Sequence, residues 1–225
     1  MSPTVRRVVS LAVIAAVPAL AGAQVACKWS RNDAWVKRQA EFFDDSKREW
    51  TDDSLRTALL AAAGLQAPLD MPVSFGVDIE GRDRPLGPNA PEVIASLRPA
   101  ASSRTSPWPT KSVVGAAGAH ALYVIALHDS VLIRSIHRFM EAGPAEAPAI
   151  DVAMWEDRLR VQAGRKQIYG TQFRLEGGRV SLAAMEDSAH ADLRREDAGL
   201  PPFALGLCMA KNAARRAQLP RGNAE

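Results

Sequence analysis

The chain contains two cysteines, at positions 27 and 208, which lie near opposite ends of the segment that we expect to fold. A disulfide between them would require the start of that segment to meet the last predicted helix, and this excludes folds whose ends lie far apart. Closing so large a loop is expected to raise the free energy of unfolding by about 4 to 5 kcal/mol. The alternative is that both thiols are free and that Cys208 is a small core residue. Whether the cysteines pair depends on whether the protein resides in an oxidising or a reducing compartment.

The first 23 residues predict a secretory signal peptide. Two arginines precede an apolar run over 8–20, and an A-G-A triplet at 21–23 supplies a cleavage site. The competing prediction is a retained membrane anchor, but the run is shorter than the roughly 20 apolar residues that cross a bilayer. We therefore expect a periplasmic or secreted protein with no stable membrane anchor after cleavage. In that oxidising environment the two cysteines are expected to pair.

The charge balance argues against a nucleic-acid partner. The full chain has 28 Lys and Arg against 25 Asp and Glu, and loss of the two leader arginines leaves 26 against 25. The remaining arginines are scattered among acids and form no basic stripe.

The sequence also lacks a phosphate-binding loop, a dinucleotide fingerprint and the H-E-x-x-H or paired C-x-x-C spacing of metal sites. We therefore expect no nucleic acid, no cofactor and no metal.

Hydrophobic periodicity predicts a mainly α fold (α+β): a compact helical domain with a small antiparallel β-hairpin near the C-terminal half. The hairpin is predicted over 167–176 and 179–183, around the turn-forming dipeptide Gly177-Gly178. A short, irregular edge strand is predicted over 71–79, where Pro72 and Gly76 interrupt the alternation. Helices are predicted over 32–43, 51–63, 92–97, 111–140, 150–162, 187–197 and 201–219.

These elements divide the chain into four parts. The signal peptide over 1–23 precedes an N-terminal helical region over 24–107, which holds the short strand and a mobile Pro/Ser-rich connection. A helical domain with the hairpin follows over 108–219, and residues 220–225 form a frayed tail. The long helix over 111–140 begins with small residues that allow close approach, so it is the predicted centre of the core.

A motif in the second half resembles a known family. The chain has Asp157-Arg158, five residues, and then Gly164-x-x-Gln167-x-Tyr169-Gly170-Thr171-Gln172. This run is similar to the D-R-(x5)-G-x-x-Q-x-Y-G-T-Q signature of the uncharacterised bacterial domain-of-unknown-function family 6624. The similarity covers roughly 108–202. It implies a shared fold and an important region around Y-G-T-Q, but no chemistry, because the activity of the family is not established. Further matching pieces are Trp108-Pro109-Thr110, Val114-Gly115, His128-Asp129, Arg195 and Gly199-Leu200-Pro201-Pro202.

The polar residues of this motif predict either a pocket or a network. In a strand, Gln167, Tyr169 and Thr171 would point to one face, and Asp157 with Arg158 could supply their hydrogen-bond partners. The functional interpretation is a polar pocket between the hairpin, this pair and His128. The structural interpretation is a buried hydrogen-bond network that fixes the hairpin on the helices. The predicted ligand-binding residues are Asp157, Arg158, Gln167, Tyr169, Thr171, Gln172 and Arg195.

Two functions from different classes follow. The first is a binding module whose ligand or partner is an unknown small molecule or an envelope component, held at the Q-x-Y-G-T-Q hairpin. The alternative is a small envelope hydrolase-like enzyme in which His128 or Asp157 acts as the base. In that enzyme Tyr169 would donate a proton or a hydrogen bond, and Arg158 would hold an anionic group.

Overall fold

The computed structural model describes residues 26–47, 49–79, 85–102, 108–142, 146–176 and 179–218. The predicted signal peptide, the Gly177-Gly178 turn and the predicted tail lie outside these ranges. The helices are α1 (Ala34–Phe42), α2 (Asp53–Ala62), α3 (Ala90–Ser102), α4 (Lys111–Ala126), α5 (Ser130–Ala142), α6 (Ala149–Gln162), α7 (Ala191–Asp197) and α8 (Phe203–Gln218). The strands are β1 (Asp78–Ile79), β2 (Gln172–Glu176) and β3 (Arg179–Leu182), and a 3₁₀ turn over Ser188–His190 precedes α7.

The predicted mainly α fold with an antiparallel strand pair in the C-terminal half is confirmed. The three strands form one sheet in the order β1-β2-β3. β2 and β3 are antiparallel, with Phe173 opposite Leu182, whereas β1 is parallel to β2, with Ile79 opposite Phe173. The sheet therefore joins the N-terminal half of the chain to the hairpin.

The edge strand predicted over 71–79 is wrong for all but its last two residues. The side chain of Gln39, which is fully buried, takes the place of a neighbouring strand. Its Oε1 accepts from the backbone N of Val73 at 2.8 Å, and its Nε2 donates to the backbone O of Ser74 at 2.7 Å. Gly76 then turns the chain with φ of +61°. Backbone groups satisfied in this way need no sheet partner.

The single helix predicted over 111–140 is also wrong, because the structure breaks it between α4 and α5. Asp129 caps α5: its Oδ1 accepts from the backbone N of Val131 and of Leu132, both at 2.9 Å. Its Oδ2 pairs with Arg98 of α3 at 2.6 Å. Because Asp129 caps a new helix, α4 ends before it and α5 begins after it. The apolar pattern of the sequence continues across this junction and gives no sign of the break.

The core centres on α4, as predicted. Nearly every side chain of this helix is buried, and its alanines let α2 approach closely. The helix predicted over 92–97 is longer than expected, since α3 runs to Ser102 and buries Leu97 and Ala101. Residues 98–102 therefore belong to a helix and not to a mobile connection. Residues 103–107 of that connection lie outside the described ranges.

A disulfide joins the beginning of the described chain to α8. The Sγ atoms of Cys27 and Cys208 are bonded, and the Cα atoms lie 5.8 Å apart across a sequence separation of 181 residues. The predicted pairing is confirmed. Among the described helices, none combines the length and the apolar character that a bilayer crossing requires.

We expect the double variant Cys27→Ser/Cys208→Ser to unfold at lower denaturant concentration than the wild-type chain. Loss of a cross-link that closes so long a loop removes about 4 to 5 kcal/mol from the free energy of unfolding in the chain-entropy treatment. Urea titration followed by circular dichroism measures the change. Reductant should produce the same loss in the wild-type chain and none in the double variant; a reductant effect in both would contradict the assignment.

The cap at Asp129 predicts an acid-sensitive α4–α5 junction. Burial opposes ionisation, but the hydrogen bond from Arg98 and the backbone bonds from Leu132 and Val131 outweigh it, so the pKa of Asp129 lies below 3.8. The stability that the charge contributes is therefore present above that pH and is lost as the pH falls through the lowered pKa. Asp129→Asn keeps a capping side chain but removes the charge, at a cost of about 1 kcal/mol near neutrality. The difference between the two proteins should shrink in urea titrations below pH 3.8, and a difference that persists unchanged would contradict this account.

Candidate functional site

Asp157, on α6, organises the Y-G-T-Q segment by accepting hydrogen bonds from its backbone. The carboxylate is fully buried. Its Oδ1 accepts from the backbone N of Ile168 at 2.6 Å and of Tyr169 at 3.0 Å, and its Oδ2 accepts from the backbone N of Thr171 at 3.0 Å and from the Thr171 hydroxyl at 2.9 Å. Both oxygens are therefore occupied by the protein itself.

The strand predicted to begin at residue 167 in fact begins at Gln172. Residues 168–171 wrap around the Asp157 carboxylate, and Gly170 adopts a φ of +70°, which is incompatible with a strand. The predicted alternation of Gln167, Tyr169 and Thr171 on one face is therefore wrong. Backbone N–H groups converge on a charge here instead of pairing with a neighbouring strand.

The two glutamines of the motif also bond to the backbone. Gln167 is fully buried; its Nε2 donates to the backbone O of Ala183 at 2.7 Å, and its Oε1 accepts from the backbone N of Gln172 at 2.9 Å. The Nε2 of Gln172 lies 3.3 Å from the backbone O of Met154, on α6. These bonds connect the beginning of β2 with the end of β3 and with α6.

Arg195, on α7, clamps the same segment from the opposite side. It is fully buried; its Nε donates to the backbone O of Pro201 at 2.6 Å and its Nη1 to the backbone O of Tyr169 at 2.6 Å. Burial lowers its pKa to about 10, against the favourable influence of Asp192 and Asp157, so the guanidinium stays charged at neutral pH. Glycines at 76 and 206 leave room for it, because a Cβ at either position would lie within 3 Å of Nη2.

The geometry therefore favours the structural interpretation for four of the predicted ligand-binding residues. Asp157, Gln167, Thr171 and Arg195 are each fully buried. The side chains of Asp157, Gln167 and Arg195 bond to backbone groups of this region, and the Thr171 hydroxyl donates to the Asp157 carboxylate. A group in this position can neither take a proton from a substrate nor contact a ligand without dismantling the fold.

Tyr169 and His128 have different surroundings. The backbone of Tyr169 is held on both sides, but in the described part of the chain its hydroxyl makes no hydrogen bond; burial raises its pKa. His128, at the end of α4, lines a shallow cavity with the first turns of α3. Within the described ranges no hydrogen bond or ion pair joins His128 to Asp157 or Tyr169. The predicted convergence of base, acid and phenol is not formed by these three residues.

Arg158 points to a different cluster, which we call the polar seam: His120 and Tyr123 of α4, Asp151 and Arg158 of α6, and Asp78 of β1. His120 Nδ1 lies 2.8 Å from Asp151 Oδ1, and Arg158 Nε lies 3.5 Å from Asp78 Oδ2. The rings of His120 and Tyr123 are stacked with centroids 6.3 Å apart. The seam thus places a histidine, a phenol, a guanidinium and two carboxylates between two core helices and the sheet.

Three buried polar atoms of the seam have no hydrogen-bond partner among the described residues: Tyr123 Oη, Asp151 Oδ2 and Arg158 Nη1. Burial, reinforced by Asp78 and Asp151, raises the pKa of Tyr123 well above 10, so its hydroxyl remains a donor at neutral pH. Burial also raises the pKa of Asp151, against the lowering influence of His120. The seam therefore offers a hydroxyl and a guanidinium N–H as donors and a carboxylate oxygen as an acceptor.

The polar seam is reached from the sheet. The side chains of Arg158 and Asp78 are 18% and 14% exposed, whereas Asp151 is fully buried. Solvent therefore contacts the polar seam at Arg158 and Asp78, and Asp151 lies deeper in the protein. In the same described ranges, no group of three or more His, Cys, Asp or Glu side chains is arranged to hold a metal ion.

Sequence reasoning selected Arg158 but missed its partners. A signal was present: His120 and Tyr123 are three residues apart, and Asp151 and Arg158 are seven apart, so each pair shares one helix face. Polar pairs on one face of two core helices indicate a buried polar contact. Neither pattern shows that the two faces meet, because that depends on how α4 packs against α6.

We expect Asp157→Asn to lower the free energy of unfolding by about 2 to 4 kcal/mol. The amide group would turn an N–H toward backbone N–H donors, leaving at least one of them buried without an acceptor. Urea titration measures the loss. The adjacent Glu156→Gln is the matched control: Glu156 is partly exposed and makes only a long contact with Arg160, so its loss should cost less than about 0.5 kcal/mol. Equal effects of the two variants would contradict a structural role for the buried carboxylate.

Comparison with known proteins adds no assignment to this geometry. The chain matches no family model, no curated protein and no solved structure at a significant level. The resemblance to domain-of-unknown-function family 6624 therefore stays a prediction, carried by the motif residues alone.

Proposed function

We propose that this protein binds a small polar ligand outside the cytoplasm, in the periplasm or after secretion, and that the polar seam is the binding position. The observation that carries the proposal is the set of three buried polar atoms without partners on Tyr123, Asp151 and Arg158. The disulfide supports an oxidising compartment. The side chains of Asp157 and Gln167, by contrast, are occupied by hydrogen bonds within the protein around the Y-G-T-Q segment.

The energetics favour a bound molecule at this position. A buried polar group without a partner costs about 1 to 3 kcal/mol, and three such groups share one seam. A molecule that supplies partners to all three recovers much of that free energy. The Asp157 network contributes indirectly, because it fixes the orientation of α6 and thereby of the adjacent Arg158.

The donors and acceptors of the seam define a ligand class. Arg158 Nη1 requires an acceptor, and a carboxylate binds a guanidinium through strong, charge-assisted hydrogen bonds. Asp151 Oδ2 requires a donor, which an ammonium or a hydroxyl group provides. Tyr123 can donate to the same ligand oxygen. We therefore infer a small amino acid or hydroxy acid.

The second candidate function is hydrolase-like catalysis, and one observation favours it. His120 and Asp151 form a histidine–carboxylate pair, in which Asp151 engages Nδ1 and leaves Nε2 as the nitrogen that could accept a proton. This pair replaces His128 and Asp157, which the sequence suggested as bases. Binding ranks first because it requires only hydrogen bonds to the three atoms without partners, whereas catalysis also requires a scissile bond to reach Nε2 of the buried His120. Turnover of p-nitrophenyl acetate that His120→Asn abolishes without a change in melting temperature would reverse this order.

We expect glycine, serine or lactate to raise the melting temperature, and glycerol, which carries no carboxylate, to have no effect. A ligand at 100 times its dissociation constant stabilises a protein by about 2.7 kcal/mol. Isothermal titration calorimetry then gives the affinity. Arg158→Gln should weaken binding by at least about tenfold, because it removes the charge that holds the carboxylate.

Arg160→Gln is the matched control. Arg160 lies on the same helix but pairs with Glu156 and Glu186 away from the seam, so its loss should change the affinity by less than about twofold. No response to any of the three acids up to millimolar concentration would contradict the proposal. Equal losses in the two arginine variants would contradict it as well.

A further inference from the structure

A concave surface lies beside the disulfide, away from the polar seam. We call it the disulfide groove: a cavity of about 670 Å³ between the start of α1, α7 and the first turns of α8. Its apolar wall contains Trp35, Leu200, Leu205 and the Cys27–Cys208 bridge. None of the five seam residues lines it, so the groove is independent of the proposed binding position.

Apolar surface extends from the groove into solvent. Leu193, which lines it, is 65% exposed, and Trp29, adjacent to the lining residue Lys28, is 37% exposed. These two are the large apolar side chains that the described residues leave in solvent. Trp29 also packs against Trp35, with ring centroids 6.1 Å apart, so the exposed surface is continuous with the groove. Contiguous exposed apolar surface on a folded chain is typical of a contact site for another protein.

The rim of the groove is acidic. Asp33, Asp192 and Glu196 line it, and Lys28 is the single basic residue among its lining residues. Two of the carboxylates are held in place: Asp33 accepts from the backbone N of Ser30 at 2.9 Å, and Asp192 from the backbone N of Phe203 at 2.6 Å. Each keeps a second oxygen for another partner, and Glu196 is exposed. The rim therefore carries an excess of negative charge around an apolar floor.

We propose that the disulfide groove binds a basic amphipathic segment of a partner protein. Apolar side chains of that segment enter the groove and cover Leu193, while Lys or Arg side chains meet the carboxylates of the rim. An acidic rim selects a cationic partner and repels an acidic one. A polypeptide fits better than a small amine, because the apolar surface continues past the cavity to Trp29.

The experiment uses the mature full-length protein and a synthetic helical peptide of about 18 residues, or five turns, with leucine on one face and lysine on the other. Its control carries the same leucines with glutamate in place of lysine. Isothermal titration calorimetry should show saturable binding of the Leu/Lys peptide that weakens as salt is raised, and no binding of the Leu/Glu peptide.

Three variants locate the site. Leu193→Ser should weaken binding by about tenfold, because it removes apolar surface that the peptide buries. Glu196→Gln should weaken it by about twofold to fivefold. Asp197→Asn is the matched control, since Asp197 is the next residue of α7, is also exposed and does not line the groove; it should leave the affinity unchanged. All three residues are on the surface, so melting curves should match the wild type.

Several results would overturn the proposal. They are binding of both peptides alike, losses of equal size in Glu196→Gln and Asp197→Asn, or binding that Leu193→Ser leaves intact. Octylammonium binding as tightly as the Leu/Lys peptide would identify the groove as a site for small cations and not for a polypeptide.

Discussion

The buried carboxylate of Asp157 is the interaction on which the arrangement of α6 and the sheet depends. A charge inside a protein is tolerated only when donors surround it, and here the backbone of residues 168–171 supplies them. The segment therefore cannot be a strand, and β2 begins only at Gln172, where the last of these bonds has been made. Because β2 in turn pairs with β1 and β3, a single carboxylate fixes the position of the sheet relative to the helices.

Arg195 completes this arrangement from outside the loop. It binds the backbone O of Tyr169 and of Pro201, so it joins the Y-G-T-Q segment to the turn that leads into α8. α8 carries Cys208, and the disulfide returns the chain to its N-terminal segment. The motif residues that the sequence singled out are thus a chain of structural contacts from α6 to the bridge. Their polarity serves the backbone, which explains why a polar motif can be specific without forming a binding site.

The sequence predicted the fold class and the core helix α4 from local hydrophobic periodicity, and the disulfide from the two cysteines together with the expectation of export. It did not predict the α4–α5 break, since Asp129 caps a helix within an uninterrupted apolar pattern. The strand predicted over 71–79 failed because Gln39, more than thirty residues away, satisfies its backbone. Of the predicted ligand-binding residues, Arg158 belongs to the polar seam, whereas Asp157, its neighbour, bonds to the Y-G-T-Q segment. The packing of each face of α6 against its neighbours depends on tertiary structure, which local sequence patterns do not determine.

The two neighbours Asp157 and Arg158 on α6 differ in how far the protein itself satisfies their polar atoms. Asp157 is fully buried and saturated with donors, so nothing more can bind to it. Arg158, about 100° further around the helix, has a buried N–H without a partner beside Tyr123 and Asp151, which lack partners too. The ligand that we propose would supply hydrogen-bond partners to these three atoms of the seam.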